Sequence, residues 1–225
     1  MRASTLELLK EVEMLIYANA DTNQAPAMQA YMKHLFPFAG IKKPIRESIL
    51  KDVNKALLKC IDELQPITEY LWQKPEREFQ YIALKLLEKS AKKLNIEDLK
   101  WIENLIITKS WWDTVDALAA NVVGVILLKD EKALMRYSEK WNKSENMWLN
   151  RTAILAQLTY KQKTNTELLA STIEKHIYSN EFFIKKAIGW VLRQYSKSNP
   201  EWVRAFVKSH PDLKALSVKE ATKYI

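Results

Sequence analysis

Glycine is almost missing from this chain. Gly40, Gly124 and Gly189 are the only three in 225 residues, leaving little room for tight hairpins or for a glycine-rich loop that wraps phosphate in backbone N–H groups. Cysteine is scarcer still: Cys60 stands alone, so neither an intrachain disulfide nor a four-cysteine metal site can form, and this usage suits a reducing cytoplasm. The three histidines, His34, His176 and His210, are far apart, and none occurs in a His-x-x-x-His or Glu-x-x-His arrangement. No metal is expected from that pattern. There is no Gly-x-Ser-x-Gly, and Cys60 lies in the apolar stretch around Leu57 and Leu58 without a neighbouring histidine, so nucleophilic catalysis has no candidate. Uncharged apolar runs are short, none approaching the roughly 18 residues of a membrane span. The opening Leu6-Glu7-Leu8-Leu9-Lys10-Glu11-Val12 mixes charge into its apolar pattern, unlike a signal peptide. A soluble protein without cofactor is expected, and carboxylates remain as its source of chemistry.

What the chain does have is helical periodicity. Apolar residues recur at 3.6-residue spacing over residues 4–18, 24–35, 45–58, 64–71, 76–94, 96–107, 111–127, 131–141, 146–158, 166–177, 182–195 and 200–207, and no strand-like alternation persists. Pro26, Pro44, Pro75 and Pro200 sit near first-turn positions, Asn165 precedes Thr166, and Asn199 is placed as a cap before Pro200. The fold class is therefore all-α. From Glu76 onward the runs pair off at intervals near 35 residues, which antiparallel helix pairs stacked into a curved α-solenoid explain economically. No letter-for-letter repeat accompanies the spacing, and a compact irregular bundle is the rival. The expectation is a single domain over 1–225 whose concave wall could cradle a duplex.

Charge points the same way. There are 35 Lys and Arg against 27 Asp and Glu, a formal net charge of +8. Residues 181–225 hold nine basic side chains (Lys185, Lys186, Arg193, Lys197, Arg204, Lys208, Lys214, Lys219, Lys223) against four acidic ones (Glu181, Glu201, Asp212, Glu220). A polyanion is the partner such a surplus favours, although a solvated surface accounts for it equally well.

The most informative run is Ser110-Trp111-Trp112-Asp113-Thr114-Val115-Asp116. At 100° per residue Trp112 and Asp116 share a helix face, while Trp111, Val115, Leu118 and Val122 form a neighbouring stripe that can enter a core. Ser110 or Asp113 could cap the helix start, which leaves Asp116 as the chemical carboxylate. An indole beside a carboxylate suits a flat cationic ligand such as an alkylated purine; core packing is the plainer use of two tryptophans. Arg151 falls one turn from Met147 and Leu155, where a long cation must snorkel or find an anion. Trp190 follows Gly189, whose missing side chain permits close approach of backbone or ligand.

Several segments together resemble the AlkD-like DNA alkylation repair glycosylases. They are Lys109 through Asp116, Trp148-Leu149-Asn150-Arg151-Thr152-Ala153-Ile154, Phe183-Ile184-Lys185-Lys186-Ala187-Ile188-Gly189-Trp190, the stretch from Tyr31-Met32-Lys33 to Ile41-Lys42, and the ending Leu216-Ser217-Val218-Lys219-Glu220-Ala221. The resemblance implies a superhelix of HEAT-like repeats that grips duplex DNA in a concave basic groove and hydrolyses the N-glycosidic bond of N3- or N7-alkylated purines. It also implies the site: Asp116 as the essential carboxylate, Trp112 and Trp190 flanking it, and Arg151 supporting it and contacting DNA. A cytoplasmic, nucleoid-associated monomer without obligate protein partner is implied, and Lys219 departs from the arginine expected there. A silent nucleic-acid-binding solenoid would keep the basic groove without needing Asp116 between indoles, and a protein-binding scaffold would need neither.

Overall fold

Every regular element of the chain is helical, and the all-α expectation is met. The computed structural model describes residues Met1–Ile225, whose helices gather into two compact units, Met1–Ser90 and Ala91–Ile225.

The first unit holds α1 (Ala3–Ala18), α2 (Ala25–Tyr31), α3 (Lys43–Ile49), α4 (Lys51–Leu57), α5 (Leu64–Gln73) and α6 (Arg77–Ser90). Leu9, Val12 and Ile16 of α1, Ile67 and Leu71 of α5 and Phe79 and Ile82 of α6 are buried on the faces their spacing predicts. Full burial of each such side chain is worth roughly 1.5–3 kcal/mol. The loop before α3 is fixed from within: the buried Glu78 carboxylate accepts the N–H groups of Ala39, Gly40 and Ile41 at 3.1, 2.9 and 3.0 Å. Gly40 has φ +89°, and a Cβ there would lie 2.0 Å from the Asp21 carbonyl oxygen, so this loop requires glycine. Two expected runs are shorter than the pattern suggests. The run 24–35 ends with α2 at Tyr31, where Lys33 and His34 turn to positive φ, and 45–58 is broken at Leu50 into α3 and α4.

The second unit comprises α7 (Leu99–Ile107), α8 (Trp112–Ala117), α9 (Gly124–Leu127), α10 (Glu131–Asn142), α11 (Met147–Leu155), α12 (Thr166–Glu174), α13 (Phe182–Ser196), α14 (Pro200–Ser209) and α15 (Ala215–Ala221). Its core includes Ile154, Leu155, Leu169, Ile173, Ile184, Ile188, Leu192 and Val203. The helix starts use short polar side chains: Asp130, Asn146, Asn165 and Asn199 each accept a backbone N–H from the first turn, at 2.9–3.0 Å, worth about 1 kcal/mol apiece. The caps expected at Asn165 and Asn199 are among them.

The 35-residue interval is visible as contacts. α8, α11 and α13 begin at Trp112, Met147 and Phe182, and α8 touches α11, α11 touches α13 and α13 touches α15, a row of neighbouring helices. Side-chain bonds join residues one interval apart: Asn165 to Glu131 across 34 positions, Tyr160 to the Gly124 carbonyl across 36, Lys140 to Glu103 across 37. Where periodicity predicted one helix over 111–127, the chain instead runs through a π-helical segment, Leu118–Val123, between α8 and α9. Such widened turns often accompany functional positions.

Candidate active site

Site geometry starts from the turn that launches α8. Lys109 adopts φ +49°, uncommon for a residue with a side chain, and the Ser110 hydroxyl donates back to the Ile106 carbonyl at 2.6 Å. Ser110 therefore closes α7 rather than capping α8. Trp111 occupies the N-cap position with no side-chain cap bond, so the capping role expected of Ser110 or Asp113 is corrected. Asp113 lies inside the first turn, where the helix dipole favours a carboxylate.

Asp116 is one turn further on and has found a cation. Arg151 Nε donates to Asp116 Oδ1 at 2.6 Å and Nη2 donates to Oδ2 at 2.7 Å, a two-pronged pair between α8 and α11. The third guanidinium nitrogen, Nη1, donates to the Phe183 carbonyl at the start of α13. Arg151 is wholly buried, whereas the Asp116 side chain retains 18% exposure. Burial pushes the Asp116 carboxyl above the usual carboxylate range; the hydrogen bonds and charge of Arg151 oppose that rise, and the charge of Asp113 adds to it.

Aromatic rings surround the pair. The Arg151 guanidinium carbon lies 5.3 Å from the centre of the half-buried Trp190 ring and 5.7 Å from that of Phe183, both within cation–π range. Trp111 packs against Trp148 and Phe183 with centroids 5.7 and 4.9 Å apart, and those two are 5.1 Å from each other. Trp111 thus enters a packed stripe as its register suggested, though its buried indole N–H has no partner. Trp112 is half-buried at the first position of α8, one helical turn before Asp116.

The structure joins Asp116, Arg151 and Trp190 through direct contacts and sets Trp112 on the same short helix as Asp116. Sequence reasoning missed Phe183, which acts through its backbone oxygen, and the part Trp148 takes in the ring cluster. Counting 35 residues from Trp112 to Met147 and Phe182 would have exposed both, since it aligns the first turns of the three helices. His176 and His210 lie outside this cluster: His176 Nε2 bonds Asn142 Oδ1 at 2.7 Å, and His210 bonds Glu174 and the Phe206 carbonyl.

Residues 12–225 match the family described as DNA alkylation repair enzyme. The chain belongs to that family. A solved structure titled "Predicted DNA alkylation repair enzyme from Enterococcus faecalis" is similar at 37% identity and a TM-score of 0.83, over 91% of this chain and 96% of that one. None of the curated proteins matches the chain. Membership of the DNA alkylation repair family gives the protein a role in alkylation repair with DNA as substrate. No helix is long and apolar enough to cross a membrane.

Proposed function

We propose that this member of the family is a DNA glycosylase that hydrolyses the N-glycosidic bond of N3- or N7-alkylated purines in duplex DNA. The observation that carries this reading is the Asp116 carboxylate, on a side chain that keeps some exposure, held by two bonds from a buried arginine that also faces an indole. Alkylation at N3 or N7 puts positive charge on the purine. When the bond to C1′ breaks, its electron pair passes to the base, which leaves neutral, and positive charge develops on the deoxyribose. An ionised Asp116 stabilises that charge and orients water, whose oxygen bonds to C1′ while its proton passes to the carboxylate or to solvent. The products are free base and an abasic site.

Arg151 has a defined part in this scheme. It keeps Asp116 ionised against the effect of burial and uses one direction of each carboxylate oxygen, leaving the remaining lone pairs for sugar or water. Trp112 and Trp190 provide π-faces to backbone and sugar and favour the cationic base, by about 0.5–2 kcal/mol for each good contact. No strong general acid is needed for a leaving group that already carries its charge. The functional unit is the single chain acting on duplex DNA.

The test is direct. Duplex DNA containing 7-methylguanine is incubated with the protein and free base is measured by chromatography; release by wild type and its loss in Asp116→Asn are expected, and absence of release by wild type overturns the assignment.

A further inference from the structure

The C-terminal helix α15 lies on the part of α13 that carries Trp190. The Glu220 carboxylate accepts from Lys186 Nζ at 2.5 Å through one oxygen and from Arg193 Nη1 at 2.5 Å through the other. Those two cations stand one turn before Trp190 and three residues after it, so a single carboxylate spans the stretch of α13 that holds the indole. The approach is close enough to require glycine: a Cβ on Gly189 would lie 2.4 Å from Glu220 Cβ and 2.9 Å from the Ser217 carbonyl oxygen. Ser217 adds a third tie, its hydroxyl donating to the Lys185 carbonyl at 2.9 Å. Gly189 therefore admits a helix rather than a ligand, and the face of α13 turned to α15 is locked at the position next to Trp190.

We infer that Glu220 is a positioning residue for the site: by clasping Lys186 and Arg193 across Gly189 it fixes the section of α13 from which Trp190 reaches Arg151. The arrangement extends the interval of the unit. Arg151 of α11 takes its carboxylate from α8, and Lys186, 35 residues on, takes its own from α15, across 34 positions. Glu220 is held well ionised by these partners; its carboxyl lies below the usual range, chiefly through the Lys186 bond. Two half-buried cations on α13 are thus neutralised by α15. Loss of Glu220 frees Lys186 and Arg193 and loosens the anchored turn. A displacement of about 1 Å at a reacting centre can reduce turnover on the order of 100-fold.

The inference rests on Trp190 lining the site, and its test reads Trp190 without DNA. Protein labelled with 5-fluorotryptophan gives a fluorine spectrum in which the Trp190 signal is assigned by its loss in Trp190→Phe. The wholly buried Trp141, which donates to Glu103 at 2.7 Å, monitors the fold. In Glu220→Gln the Trp190 signal should shift or broaden while that of Trp141 stays in place, and single-turnover release from 7-methylguanine DNA should fall roughly 10–100-fold with a smaller change in DNA affinity. An unmoved Trp190 signal with unchanged turnover in folded Glu220→Gln overturns the inference. If the Trp141 signal is lost as well, Lys186→Gln, which removes one of the two contacts, replaces it: a shifted Trp190 signal supports the clasp and an unmoved one refutes it. Should wild type release no base, the glycosylase reading fails while the fluorine shift still decides the role of Glu220.

Discussion

Asp116 and Arg151 are 35 residues apart and occupy the same place, the fifth residue, in two helices that begin at Trp112 and Met147. Side-by-side packing of equivalent turns turns a repeat of length into an ion pair. The two partners are not equivalent in burial, since Arg151 has no exposure and Asp116 has some, and this asymmetry separates the effects of replacing each.

Asp116→Asn should abolish chemistry and spare the fold. The amide keeps one oxygen to accept from Arg151 and removes a charge that burial disfavours, but it leaves the buried guanidinium without its counter-charge; these effects oppose each other, so the melting temperature should stay within about 4 °C of wild type. Base release should fall roughly 100- to 1,000-fold, the usual loss when a transition-state charge loses its partner, with duplex affinity largely kept. Arg151→Met behaves differently. It strips Asp116 and the Phe183 carbonyl of their donor and leaves a partly buried carboxylate unpaired, a loss of about 3–5 kcal/mol. Circular dichroism melts beside single-turnover release distinguish the two, and full excision by folded Asp116→Asn would reassign the carboxylate.

The acid limb of the pH–rate profile should lie above the ordinary aspartate range of about pH 4, because burial raises the Asp116 carboxyl and its protonated form cannot stabilise a cationic sugar. Asp113→Asn removes a like charge and should move that limb to lower pH. The stability linkage follows from the same direction. A carboxyl raised in the folded state contributes stability that is complete below its unfolded pKa and disappears as pH rises through the folded one. The melting temperature of wild type relative to Asp116→Asn should therefore increase as pH drops toward 4. An acid limb at or below the ordinary range would mean that Asp116 is better solvated than its contacts indicate.

Helices were readable because buried faces repeat at 3.6 residues, and the 35-residue interval was readable because paired helices of similar length succeed one another. The Leu118–Val123 widening left no trace, since its apolar residues continue the same face. α15 escaped periodicity because Ala215–Ala221 offers fewer than two turns of pattern, although its letters carried a family resemblance. Among site residues Arg151 was legible as a long cation on an apolar helix that needed an anion; Asp116 satisfies it. Phe183 was legible only as a position, one 35-residue interval on from Trp148, and not in its bond to Arg151, because a backbone carbonyl has no letter in the sequence. Gly189 was half legible: close approach was expected, and Glu220 and Ser217 supply it.

Duplex affinity should fall steeply with salt. In residues 181–225 the cations Lys186, Arg193 and Arg204 are paired with Glu220 or Glu201, whereas Lys208 and Lys219 are exposed. Each phosphate contact contributes a slope of about −0.9 in log affinity against log salt. Lys219→Gln should flatten that slope more than Lys186→Gln, which removes a cation already neutralised within the protein. Fluorescence anisotropy between about 50 and 200 mM salt checks both, and an affinity constant across that range is incompatible with a phosphate-gripping surface.

Lesion choice is the sharpest discriminator of mechanism. A neutral base such as hypoxanthine or uracil leaves slowly unless an acid protonates it, and the ring-lined cluster around Asp116 contains an arginine and two aspartates but no histidine. His176 and His210 are engaged with Asn142 and Glu174. Asp116 itself, tied through both oxygens to a permanently charged guanidinium, is set to stabilise positive charge rather than to donate a proton. Release of 7-methylguanine or 3-methyladenine should consequently exceed release of the neutral bases by at least the ~100-fold commonly contributed by a general acid. Identical duplexes that differ in the lesion alone, under single-turnover conditions with free base measured directly, give the comparison. Equal rates would require a proton donor at the site, and Trp112 and Trp190 would then be packing residues rather than the faces that select a cationic base.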